Sequence, residues 1–257
     1  MLFATWLVST RRLSSASVYL AGVRSLHIDR GLPEPMVDTP APSAHSGYQR
    51  SAGPARQARL PITGPLLDVI HQSLSSPSLD HIMFLAACCL VFFGFLRVAE
   101  FTCPSAFDPT IHLTATNVSI DPTSTIHLWL KSSQTDPFRQ GFMIHIGSSG
   151  KPICPVAALR AYLDLRGHAP GPLFVTSTGC PLTPVIVNHW LRSIFTPTRN
   201  GSSFSSHSFR IGAATSAAST GIPDDLIKTL GCWSSHAYQR YIRTPPDIFT
   251  SVARVLC

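Results

Sequence analysis

The chain has 257 residues, enough for one large domain with a smaller appendage, and combines 44% apolar with only 13% charged residues. Its net charge of +7 is carried almost wholly by arginine, 17 Arg against three Lys (Lys131, Lys151, Lys228), which suits a phosphate-bearing partner. Seven cysteines with no C-x-x-C spacing point away from a disulfide framework and from a zinc site, and no metal or other cofactor is expected.

The first 28 residues contain Arg11, Arg12 and Arg24, several serines and no acid, a composition shared with mitochondrial transit peptides. Within them, 2–8 ("LFATWLV") and 14–28 ("SSASVYLAGVRSLHI") read as two helices, the second with Val18, Leu20, Val23 and Leu26 near helical spacing. From 33 to 59 the chain loses periodicity and gains Pro, Ser, Gly and Ala, as a flexible basic linker would.

A larger domain follows from residue 60 to 257. "PLLDVIHQSL" reads as a helix, and "LDHIMFLAACCLVFFGFLRVAEF" as one long buried helix. Its uncharged run Ile82 to Leu96 is fifteen residues, short of the roughly 20 that cross a bilayer, so no membrane partner is expected. Cys88 and Cys89 lie inside that run as small buried hydrophobes. "STIHLWLK" alternates Ile126, Leu128 and Leu130 as a half-buried strand, and "GFMIHI" completes a hairpin. "PVAALRAYLDLRG" is a helix ended by Gly167, "GPLFV" an extended piece, and "PVIVNHWLRSIF" another helix. From Ser206 the chain is helical again, with a break at "TGIP" where Gly221 closes one helix and Pro223 opens the next. The fold class is α+β, mainly α, with one small antiparallel sheet.

In "HSFR", His207 and Arg210 stand i, i+3 and project from one helix face. A guanidinium matches phosphate oxygens with paired donors, and an imidazole beside it can move a proton near neutral pH. By themselves they read as a solvated helix face, and Lys131 as a solvated hairpin tip. Arg97 ends a strongly apolar run and requires an anion, with Glu100 one turn on as a partner. Trp233 follows Arg210 by 23 residues, and Tyr241 follows Trp233 by eight.

The ordered strings "GFLRVAEF", "LKSSQTDPFRQG", "HSFR", "LGCW" and "YQRYIR" resemble the active-site motifs of the tyrosine recombinase, or phage-integrase, family. The wording is similar to that of the recombinases encoded by DIRS and Ngaro-like retrotransposons of animals, in "FFGFLRVAEFT", "TDPFRQG", "HSFRIGAATSAA" and "IKTLGCWSSHAYQRYIRTP". The resemblance covers residues 60 to 245 and makes 60–257 a recombinase catalytic domain, while 1–32 resembles a short helical core-binding domain, which displaces the transit-peptide reading.

This resemblance implies double-stranded DNA as partner, a homotetramer on DNA, nuclear residence and integration of a mobile element. It implies a metal-free site of Arg97, Lys131, His207, Arg210, Trp233 and Tyr241, with Glu100 in support and Arg139, Arg240 and Arg243 on DNA. Tyr241 would be the nucleophile that forms a 3′-phosphotyrosyl bond, with Tyr238 as its rival. Trp233 would pack or hydrogen-bond against the phosphate, and the tail 247–256 would pack on a neighbouring subunit or on its own. Cys232 stands where a basic or polar residue is more usual in the family. An inactive DNA-binding relic of such an element is the competing reading.

Overall fold

The computed structural model describes residues 13–33, 35, 59–74, 76–104, 106–133, 136, 138–196, 201–233, 239 and 242, the side chains of 13–17 and 202 excepted. The expected helix over 2–8, most of the linker over 33–59, the tail 247–256, and Tyr238, Arg240, Tyr241 and Arg243 lie outside the described residues. The chain divides into two units, Met1–Ala58 and Arg59–Cys257.

In the first unit, helix α1 spans Leu13–Asp29. Gly31, at a φ of 62°, turns the chain so that Leu32 N–H returns to His27 O at 2.9 Å. His27 Nδ1 meets Pro33 O at 2.9 Å and closes the turn.

In the second unit, α2 (Gly64–Ser73) leads into α3 (Leu79–Phe93), the centre of the core. Ser78 caps α3 by accepting from His81 N–H, and Asp80 places a carboxylate in the first turn. Nine of its fifteen residues are buried, as expected for a helix that is apolar all round. It packs against α5 (Pro155–Arg166) and α7 (His207–Ser219). On α5, the buried Tyr162 donates its hydroxyl to Leu173 O and accepts from Val175 N–H, both at 3.0 Å, which ties the segment 171–175 to the helix. Arg166 serves the same segment, donating to the carbonyls of Gly167, Ala169, Pro172 and Leu173. Helix α6 spans Pro184–Phe195, and α8 spans Asp224–Leu230.

The expected continuous helix from 79 to 101 does not form. Helix α3 stops at Phe93 and a separate short helix, α4, occupies Val98–Phe101. Phe95 takes a left-handed φ of 53°, and Leu96 N–H reaches back to Val91 O at 3.0 Å, the signature bond of a Schellman turn. A left-handed phenylalanine costs roughly 1–2 kcal/mol. The residue is 8% exposed, so burial of its side chain offsets that cost.

The sheet has the order β1-β2-β3, all antiparallel, built from Val118–Ile120, Thr125–Leu130 and Phe142–Gly147. The hairpin β2–β3 matches the alternation; β1, only three residues long, carried no periodic signal. Ile126, Leu128, Leu130 and Ile146 point into the core, so His127, Trp129, Met143 and His145 occupy the opposite face. The segment 171–175 is extended, bridging Thr114 to Pro172 and Val175 to Pro181. None of the described helices is long and apolar enough to cross a membrane.

Helix α7 is held against the segment before α2 by Ile62 N–H to Ser208 O at 2.9 Å. Gly212 makes this approach feasible, because a β-carbon there would lie 1.7 Å from Ile62 O. Alanine is favoured over glycine in a helix by about 1 kcal/mol, yet Gly212→Ala is expected to destabilise the protein by about 1–3 kcal/mol through overpacking. A lower urea midpoint with unchanged slope would register it; an unchanged or higher midpoint would contradict the close approach.

Candidate active site

Two helix endings build the site. After α3 the Schellman turn presents Phe95 O to Arg210, and α8 ends in the same way: Cys232 takes a φ of 49°, Cys232 N–H returns to Thr229 O and Trp233 N–H to Lys228 O, each at 3.0 Å. Carbonyls at a helix C-terminus carry partial negative charge, and both turns offer theirs to arginine.

Arg210, from the first turn of α7, is 2% exposed. Its Nη1 donates to Phe95 O and its Nη2 to Gly231 O. The Trp233 ring covers it, with Cζ 4.0 Å from the ring centroid, a cation–π contact. Trp233 fits because position 231 is glycine: a β-carbon there would lie 1.8 Å from its Cζ3. The Phe95 and Trp233 rings stand at 89° to each other with centroids 6.4 Å apart. Trp233 is 8% exposed, and its ring lies on the guanidinium.

Arg97 caps α4 and reaches the same turn, Nη2 donating to Cys232 O at 3.5 Å. Glu100 orients it: Oε2 accepts from Arg97 N–H at 2.7 Å and Oε1 from Nη1 at 2.9 Å. Ser133 joins this group, accepting from Arg97 Nη1 at 2.9 Å and donating to Glu100 Oε1 at 2.7 Å. Glu100 and Ser133 are both 8% exposed, while the Arg97 side chain keeps 15% of its surface open to solvent. Arg97 and Arg210, far apart in sequence, thus meet consecutive carbonyls of one turn. Beside Arg97 opens a cleft of about 250 Å³ lined by Glu100, Pro104, Ile111, His112 and Ser133.

Lys131 directly follows β2, its Nζ donating to Pro109 O at 2.7 Å and His112 O at 3.4 Å. Burial lowers its pKa, with the neighbouring Asp108 carboxylate opposing. Asp108 is held below the ordinary carboxylate range first by the Thr110 hydroxyl and N–H, with His112 and Arg139 adding to the effect. Arg139, exposed in the β2–β3 loop at a φ of 51°, therefore shares a carboxylate neighbour with Lys131.

His207 opens α7 and is exposed, whereas Arg210 one turn later is buried, so the shared face runs from surface to interior. Its pKa is lowered, chiefly by partial loss of hydration around the ring and further by the charges of Arg210 and Arg59. Ser133 and the two carbonyl-presenting turns were not legible in the sequence.

Neither a family model nor a curated protein matches the sequence. Among solved structures, XerA recombinase superposes with a TM-score of 0.57 at 16% identity, over 98% of this chain and 79% of that one. The Tn1549 transposon integrase, in complex with circular intermediate DNA, gives 0.63 at 12% identity over 99% and 82%. XerH site-specific recombinase, bound to its difH substrate, gives 0.57 at 12% over 78% of this chain and 54% of that one, so this chain spans about half its length. The fold is therefore that of the tyrosine recombinases and phage integrases, a mainly helical catalytic-domain architecture with a small antiparallel sheet.

Proposed function

We propose that the chain is a site-specific DNA recombinase or integrase that cuts and rejoins strands through a 3′-phosphotyrosyl ester. The observation that carries this reading is the meeting of Arg97 and Arg210 at the turn that ends α8, with Trp233 stacked on one guanidinium and Glu100 aligning the other. Two oriented guanidiniums supply the positive charge that a phosphoryl transition state requires.

In this mechanism the Tyr241 hydroxyl oxygen attacks the scissile phosphorus, the bond to the 5′ oxygen breaks, and the 5′ hydroxyl departs. His207 takes the phenol proton and Lys131 returns one to the leaving oxygen. Lys131 must then exchange Pro109 O for DNA, and its lowered pKa makes it the better acid. Reversal with a second 5′ hydroxyl rejoins the strand without ATP. Double-stranded DNA is the partner, with Arg139, Arg240 and Arg243 on its backbone, a homotetramer the assembly and the nucleus the compartment. A mobile element of the DIRS or Ngaro type would be the source.

The test is a nicked half-site incubated with the protein in EDTA and resolved under denaturing conditions. A covalent adduct supports cleavage. Salt-sensitive DNA binding without adduct would leave the relic reading, which the burial of Arg210 and its bonds to two carbonyls favour.

His207 gives a pH signature. Its folded-state pKa lies below the unfolded value near 6.5, so between the two the unfolded chain binds more protons and stability rises with pH. As pH falls from 6.5 towards the folded value stability is lost, and above 6.5 the group has no effect. The acid limb of single-turnover cleavage is expected below about 6.5. A limb above that value would remove His207 from the role of base.

A further inference from the structure

We propose that His127 and His145 form a two-imidazole site for a late first-row divalent ion, Zn²⁺, Ni²⁺ or Cu²⁺, on the solvent face of the sheet, with Asp121 as its outer partner. The antiparallel register sets His127 on β2 directly opposite His145 on β3. Because their neighbours Ile126, Leu128 and Ile146 fill the core, both rings stand on the outer face. Their Nδ1 atoms are 3.0 Å apart, and the ring planes stand 87° to each other with centroids 4.9 Å apart. An ion about 2.1 Å from each nitrogen would see them at roughly a right angle, the cis angle of octahedral and square-planar sites. A tetrahedral ion would ask the pair to open by a few tenths of an ångström.

The rest of the cluster prepares His127 for this. Its Nε2 lies 3.0 Å from Asp121 Oδ2, which fixes the ring proton on Nε2 and leaves the Nδ1 lone pair facing His145. Asp121 is itself held, Oδ1 accepting from the Thr123 hydroxyl at 2.7 Å and Thr125 N–H at 2.9 Å. With no ion, His145 must donate its Nδ1 proton to His127. Moving that proton to its own Nε2, where water accepts it, frees the second lone pair without changing the charge. His145 is exposed, so an ion has an open approach. Among the described residues no group of three or more ligand-type side chains closes around one ion, so water completes the sphere. The ion would staple β2 to β3, and no step of strand cleavage passes through it.

The test uses the full chain stripped with EDTA and exchanged into chelator-free buffer, titrated with NiCl₂ and ZnCl₂ by calorimetry, with thermal unfolding alongside. Saturable micromolar binding and a raised Tm are expected. His145→Ala and His127→Ala should each weaken binding at least about 10-fold, and Asp121→Asn about 10–100-fold. The surface controls His168→Ala and His189→Ala should leave it unchanged. Circular dichroism verifies that the variants fold, with His145→Gln as second variant. Absence of saturable binding, or affinity unchanged in both His145 variants, overturns the site.

Discussion

Arg210→Ala is expected to lose cleavage and much of the fold's stability together. The side chain is almost fully buried and satisfies Phe95 O and Gly231 O while filling the space under Trp233. Removing it leaves two carbonyls at helix ends without this donor, at about 1–3 kcal/mol each, and opens a cavity beneath the indole. A loss of about 3–5 kcal/mol would lower the Tm of a domain this size by roughly 10 °C. Arg210→Lys separates the two effects. An ammonium keeps the charge but cannot span two carbonyls while lying flat on an indole, so most of the Tm should return while adduct formation stays down by about 10²-fold or more. If Arg210→Lys cleaves like wild type, the planar guanidinium is not what the site uses, and the proposed mechanism loses its main support.

Tyr241→Phe is expected to reduce covalent adduct by on the order of 10⁴-fold or more, to background, while DNA affinity stays within about twofold because phosphate contacts by cations dominate binding. A free phenol has a pKa near 10, so only about one in a thousand is ionised at pH 7. In the proposed mechanism the cations of Arg97 and Arg210 and a neutral His207 lower that cost. Tyr238→Phe should cleave normally. The reverse pattern, adduct lost with Tyr238→Phe and kept with Tyr241→Phe, would move the nucleophile three residues upstream and leave the rest of the site intact.

Much of the fold was readable because its signals are local. The helices over 64–73, 155–166 and 184–195 follow from apolar spacing bounded by Pro and Gly, and the β2–β3 hairpin from alternation at Ile126, Leu128 and Leu130. The break at Gly94 was missed because nothing in an uninterrupted apolar run says that a phenylalanine will accept a left-handed backbone. Burial of its ring against the core offsets that strain, and burial is a property of distant partners. The site shows the same limit. Glu100 was legible as Arg97's partner from i, i+3 spacing, whereas Ser133 and the Gly231 and Cys232 carbonyls come from elsewhere in the chain.

By itself the sequence determined which chemical groups this protein has to work with: arginine-borne charge, an apolar central helix, and an ordered set of Arg, Lys, His, Arg, Trp and Tyr. Composition and short-range periodicity are enough for that, since each depends on residues within one turn or one strand. Only the tertiary structure decided that Arg97 and Arg210 converge on one backbone turn, that Trp233 lies on a guanidinium, and that Lys131 rests on Pro109 and His112. Those contacts join segments remote in sequence, and they form because burying α3 brings its end and that of α8 together, where main-chain carbonyls need cationic donors.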